Sequence, residues 1–184
     1  MTRAPHTPGT ALQERRAHLA DESASLALGR TIGQWIGASR TPLRIYLSGE
    51  LGTGKTTIAR ALLRALGVEG RIKSPSYTLV EPYVVDLPPA HGFRENLSLY
   101  CYHFDFYRFN DPREWLDAGF RDYFDGAGVC LVEWPEKAAG DARLPRPDLL
   151  LDLEVSGVAR QIVIRAFTPR GVQCLTAVAS SLPV

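Results

Sequence analysis

The chain has 184 residues, 45% apolar and 22% charged, the balance of a globular protein that can bury a core. Its 21 basic and 20 acidic residues leave a net charge of +1, which argues against holding nucleic acid or an anionic membrane by bulk charge. Three widely separated cysteines (Cys101, Cys130, Cys174) without a C-x-x-C argue against a disulfide framework or zinc site and suit a reducing, cytoplasmic setting.

Residues 1–20 read as a flexible N-terminal extension and 21–184 as a single domain. The first ten residues lack the apolar stretch of a signal peptide, and no apolar run reaches the roughly 18–20 residues of a membrane span. Residues 21–38 read as a helix, because Leu28, Ile32, Trp35 and Ile36 share one face. Asp21, Ser23 or Ser25 would cap it. After Thr41-Pro42, the run Leu43 to Leu47 reads as a buried strand. A Gly-rich turn at Gly49 to Gly54 leads into a helix from Lys55 to Leu66, stopped by Gly67. Ser74-Pro75-Ser76 reads as an extended loop and Thr78 to Val85 as a strand. Asp86 to Asn96, with two prolines, reads as a surface excursion, and Leu97 to Phe106 as a strand.

Asp111-Pro112-Arg113-Glu114 predicts a helix to about Ala118, with a further turn over Arg121 to Phe124. Gly128 to Glu133 is an apolar run ending in an acid. Leu149 to Val155 and Ile162 to Ala166 flank a turn at Ser156-Gly157, predicting an antiparallel hairpin with one wet face. Val172 to Val184 is ambiguous. Alternating strands and helices followed by antiparallel strands predict an α/β fold: a P-loop NTPase-like mixed sheet with flanking helices and antiparallel edge strands.

The chemistry concentrates at Gly49-Glu50-Leu51-Gly52-Thr53-Gly54-Lys55-Thr56, which matches G-x-x-x-x-G-K-[ST]. Glycines let successive N–H groups face a phosphate chain, and the following helix points its positive end there. Lys55 brings a compact charge to the phosphates, and the Thr56 hydroxyl can ligate Mg²⁺. Only three of the 21 basic residues are lysines, so about 0.003 chance matches to this pattern are expected. Such a loop needs an acid at a strand end to hold the metal. Glu133 and Asp105 are the candidates; His103 could be a general base or a structural histidine, and Arg108 could pair Asp105 or reach a phosphate.

With S-P-S-Y-T-L-V-E-P-Y at 74–83, Y-H-F-D-F-Y-R at 102–108 and L-V-E-W-P-E at 131–136, the chain resembles the TsaE (YjeE) family of small bacterial P-loop ATPases over about residues 21–167. Glu50 and Thr53, and Ser76 where Thr is commoner, depart mildly from that family's usual text. The resemblance implies a cytoplasmic, non-membrane ATPase that supports synthesis of N6-threonylcarbamoyladenosine (t6A) on tRNA with TsaD and TsaB, touching tRNA only indirectly. It implies that ATP binds Gly49, Glu50, Leu51, Gly52, Thr53, Gly54, Lys55, Thr56 and Thr57, with Ser25 near the adenosine. It implies Mg²⁺ on Thr56 and Glu133, catalytic roles for Lys55, Glu133 and Asp105, Trp134 beside the metal, and partner contacts through residues 74–78 and 103–108. A small-molecule or nucleoside kinase is the enzymatic alternative, although Arg143 and Arg146 lie among prolines rather than in a lid helix. A nucleotide-gated binding module without functional turnover is another. A GTPase is disfavoured, since N-K-x-D is absent.

Overall fold

The computed structural model describes residues 9–89, 94–138, 144–180 and 182. Residues 1–8 of the expected extension, 90–93 of the excursion and Arg143 lie outside them. The seven strands are β1 (Gln13–Leu19), β2 (Arg44–Gly49), β3 (Val80–Leu87), β4 (Leu97–Asp105), β5 (Val129–Glu133), β6 (Leu149–Ser156) and β7 (Ala159–Ala166). They form one mixed sheet in the order β1-β7-β6-β2-β5-β4-β3. The four central strands are parallel; β3, β7 and β1 add antiparallel edges. The predicted α/β mixed sheet with antiparallel edges is therefore the observed one.

Strand alternation splits the core into two layers. On one face Ile45 and Leu47, Val129 and Leu131, and Leu149, Leu151 and Leu153 pack with α1 (Glu22–Ser39), α2 (Lys55–Leu66) and α5 (Pro169–Ala179). On the other, Tyr46, Phe104, Cys130, Val132 and Leu150 meet an aromatic cluster with Phe106, Trp115, Phe120 and Phe124. Trp115, Phe120 and Phe124 come from the short helices α3 (Glu114–Asp117) and α4 (Arg121–Asp125) and the turn between them. All three cysteines are buried in these layers, and burial pushes each thiol up to about 12, the signature of inert packing groups.

Several local expectations change. Gln13–Leu19 lies not in a loose lead-in but in β1, paired along its length with β7 from Gln13↔Ala166 to Leu19↔Arg160. Glu14, Arg16 and His18 face solvent, while Ala17 and Leu19 are buried on the opposite side with Gln13 and Arg15 partly covered beside them, so a polar-looking segment has one core-facing side. The first half of β6 is buried on both faces, because Leu149, Leu151 and Leu153 join the helix-side layer while Leu150 joins the aromatic one. β3 runs to Leu87, taking the first two residues of the expected excursion. The helix expected from Asp111 is shortened to four residues, although Glu114 Oε1 accepts from Asn110 N and Asp111 N, both at 2.7 Å. The ambiguous C-terminal stretch contains most of α5, capped by Thr168, whose hydroxyl oxygen accepts from Gly171 N at 3.2 Å. No helix among the described residues is long and apolar enough to cross a membrane.

Candidate active site

Parallel pairing of β2, β5 and β4 puts the carboxyl ends of three strands at one sheet edge, where open α/β sheets bind ligands. Gly49, Glu133 and Asp105 end these strands. Asp105 and Glu133 are direct register partners, although they lie far apart in sequence.

After β2 the chain curls through positive φ at Gly49 (140°), Gly52 (81°) and Gly54 (98°). Gly49 meets a second demand: a Cβ there would lie 2.5 Å from the Leu153 carbonyl of β6. The Glu50 carbonyl accepts from the Thr53 hydroxyl at 2.9 Å and from Thr53 N at 3.3 Å. Leu51 stands exposed at the tip of the turn, and Thr57 is half-buried on α2.

Lys55 is only 4% exposed. Its Nζ donates to the carbonyls of Gly49 at 2.7 Å and Glu50 at 2.9 Å. It also lies 3.7 Å from the Trp134 ring centroid, a cation–π contact that offsets loss of water. Trp134 reaches this position from left-handed backbone, φ 60°, costly for a bulky residue. Its N–H donates to Leu47 O at 3.1 Å, and its ring packs 4.9 Å from that of Tyr107.

Glu133, 2% exposed, divides its two oxygens. Oε2 accepts from the Thr56 hydroxyl at 2.7 Å, and Oε1 faces His103 Nε2 at 2.8 Å. His103 is fully buried, and its Nδ1 has no hydrogen-bond partner among the described residues. A carboxylate only accepts, so Nε2 carries the hydrogen. His103 and Glu133 are thus joined across neighbouring strands, inside the sheet. Thr56 Oγ1 and Glu133 Oε2 are hard oxygen donors on one side of the turn, the chemistry Mg²⁺ takes.

Asp105 is 4% exposed and also fully engaged. Oδ2 accepts from the Ser76 hydroxyl at 2.6 Å and Oδ1 from Tyr107 N at 2.9 Å. Asp105 thus ties the 74–79 segment to the end of β4 through Ser76. Arg108 neither pairs with Asp105 nor lies free; its guanidinium covers the ring of Tyr77, itself 84% exposed. The 74–78 and 103–108 segments thus meet through Ser76–Asp105 and Tyr77–Arg108. Ser25 is buried on α1, and its hydroxyl donates to Asp21 O at 3.4 Å. No described contact brings Ser25 to the turn. Arg146 ties Thr10 O at 2.7 Å rather than serving a lid.

One residue at this edge carries no sequence signal: Arg160, on β7. Its Nε donates to Thr53 O at 3.0 Å and its Nη2 to Gly52 O at 3.1 Å. One of two arginines in an alternating strand, it has nothing to distinguish it; only the β6–β7 hairpin brings it to the turn.

A family model described as "Threonylcarbamoyl adenosine biosynthesis protein TsaE" matches residues 19–162. The Haemophilus influenzae protein named tRNA threonylcarbamoyladenosine biosynthesis protein TsaE is 36% identical, over 87% of this chain and 94% of its own. A Streptomyces coelicolor protein of the same name is 31% identical, over 84% of this chain and 97% of its own. The crystal structure of Bacillus subtilis YdiB superposes with a TM-score of 0.69 at 23% identity, covering 94% of this chain and 99% of that one, which shows a shared fold. A family model that spans the glycine turn and both strand-end acids, with a relative matched along nearly its whole length, leads to one conclusion: the chain belongs to the TsaE family.

Proposed function

We propose that this chain is the ATP-binding and ATP-hydrolysing component of tRNA t6A synthesis, acting with TsaD- and TsaB-type proteins in the cytoplasm and meeting tRNA only through them. The observation that carries the ATP reading is the Thr56 Oγ1–Glu133 Oε2 contact at 2.7 Å, beside a buried lysine whose Nζ is held by the carbonyls of Gly49 and Glu50. The names of the relatives support the t6A pathway.

In this reading the backbone N–H groups of 49–56 and the α2 N-terminus hold the phosphates. Lys55 places its charge on the terminal phosphates, and Trp134 shields that charge from water. Thr56 and Glu133 would hold Mg²⁺, which would supply charge neutralisation on the phosphates. His103 keeps Glu133 turned toward the loop. Asp105 fixes the 74–79 segment beside the site through Ser76. His103 Nε2 and both oxygens of Asp105 are held in these bonds, and in this reading the chain works by positioning and charge, which suits a loose phosphoryl transition state. Weak turnover alone and stimulation by partners follow, with the exposed Tyr77–Arg108 pair at the partner face.

Reconstitution with TsaB and TsaD tests the proposal, reading phosphate release and t6A formed per tRNA. The pair should raise ATP turnover, and Lys55→Ala should abolish multi-turnover modification. Glu133→Gln should still bind ATP but lose on the order of a hundredfold in hydrolysis. Full multi-round modification by Glu133→Gln would instead favour a nucleotide-gated module. Phosphate transfer to an added acceptor without release to water would favour a kinase. No stimulation together with no modification defect would overturn the proposal.

A further inference from the structure

We infer that Arg160 is a positioning residue for nucleotide phosphates, acting through the carbonyls of the glycine turn; this rests on the ATP-binding reading above. The guanidinium donates four hydrogen bonds, all to backbone carbonyls: Nε to Thr53 at 3.0 Å, Nη2 to Gly52 at 3.1 Å, and Nη1 to Ala159 at 2.8 Å and Val158 at 3.2 Å. None of these bonds goes to a carboxylate, so its charge is set against main-chain dipoles on two segments at once.

The consequence follows from peptide geometry. In a trans peptide the C=O of one residue and the N–H of the next point in opposite directions. Pulling the Gly52 carbonyl toward Arg160 turns the Thr53 N–H away from it, and that N–H closes the turn on Glu50 O at 3.3 Å. Pulling the Thr53 carbonyl to the same side turns the Gly54 N–H to the opposite side of the loop. Gly52 and Gly54 have positive φ, carry no side chain, and have no atom within 4 Å of where a Cβ would stand, so packing does not hold them in place. Arg160 replaces that missing constraint from outside the loop.

The arginine is itself braced. It pairs with Val155 across the β6–β7 hairpin and with Leu19 of β1 on the other side. β6 closes the other flank, where the Leu153 carbonyl sits against Gly49. The hairpin therefore backs the turn at both ends, and β1 fixes the hairpin.

The test uses the full chain with Arg160→Gln, Arg160→Lys and Lys55→Ala. ADP binding is measured by calorimetry, steady-state ATPase in the TsaB–TsaD mixture, and backbone amide shifts without nucleotide. Arg160→Gln should weaken ADP roughly tenfold, about one hydrogen bond to a charged group. It should raise KM for ATP by a similar factor while kcat stays within about threefold, since the cradle binds ground and transition states alike. Arg160→Lys, which keeps a donor and the charge, should recover part of the loss. The Gly54 amide should shift in Arg160→Gln, while amides in β4 and β5 stay in place. Wild-type ADP affinity in Arg160→Gln, or a loss with shifts spread through the sheet, overturns the inference. If the wild-type chain binds no ADP and Lys55→Ala changes nothing, the ATP-binding reading falls first and this inference with it.

Discussion

Glu133 illustrates how much at this site depends on single atoms. One carboxylate, almost fully buried, receives a hydroxyl on one oxygen and an imidazole on the other. Removing either donor leaves an acceptor dry, and an unmet buried acceptor costs more than the bond it lost. His103→Leu should therefore lower stability by about 1–3 kcal/mol, read from urea unfolding. His103→Gln, whose amide can donate to Glu133, should recover part of that. Equal stability in wild type and His103→Leu would mean that Glu133 finds another partner. The same logic covers Lys55, whose ammonium meets two carbonyls and an indole face.

At the scale of elements, α1 and α2 lie close because two glycines allow it. A Cβ at Gly29 would lie 2.5 Å from Ile58 O, and one at Gly33 2.5 Å from Leu62 O. Both carbonyls belong to the helix that follows the glycine turn, so α1 presses on the element that carries Thr56. Gly33→Ala should cost about 1–3 kcal/mol by overpacking, seen as a lower thermal midpoint. Gly37, also on α1, would meet only Leu66 Cδ2 at 3.8 Å. Gly37→Ala should be neutral or add about 0.5–1 kcal/mol, through better helix propensity and a less flexible unfolded chain. Equal effects at the two positions would contradict the close approach.

On the scale of the whole molecule, the first strand closes the sheet. Without β1, β7 would become an exposed edge with unpaired N–H and C=O groups and uncovered apolar residues at Ala166 and Ile164. Deleting residues 1–19 should lower the urea midpoint and produce self-association on size exclusion. ADP binding should weaken too, because the deletion unpairs the strand that carries Arg160. A deletion variant as stable and as monodisperse as the full chain would return this segment to the status of a loose extension.

The sequence by itself determined the turn and its neighbours. Glycines, a scarce lysine and a threonine between an apolar run and a helix are local facts, and local geometry follows from them: α2 begins at Lys55 and ends at Leu66, as expected. The apolar run before Glu133 likewise announced a strand ending in an acid, and its burial along the whole length is why it was conspicuous. Asp105, expected inside a strand running to Phe106, is instead the last residue of β4. What lay outside the sequence's reach depends on which strand sits beside which. β1 is mostly polar on its exposed side, so its pattern shows no run; only pairing with β7 makes it a strand. The contact between His103 and Glu133 exists only once β4 and β5 pair. Nothing pointed to Arg160, since its partners are backbone carbonyls, which every residue carries and no sequence marks. Side-chain chemistry is written residue by residue, while hydrogen bonds between distant segments arise only when the sheet order brings them together.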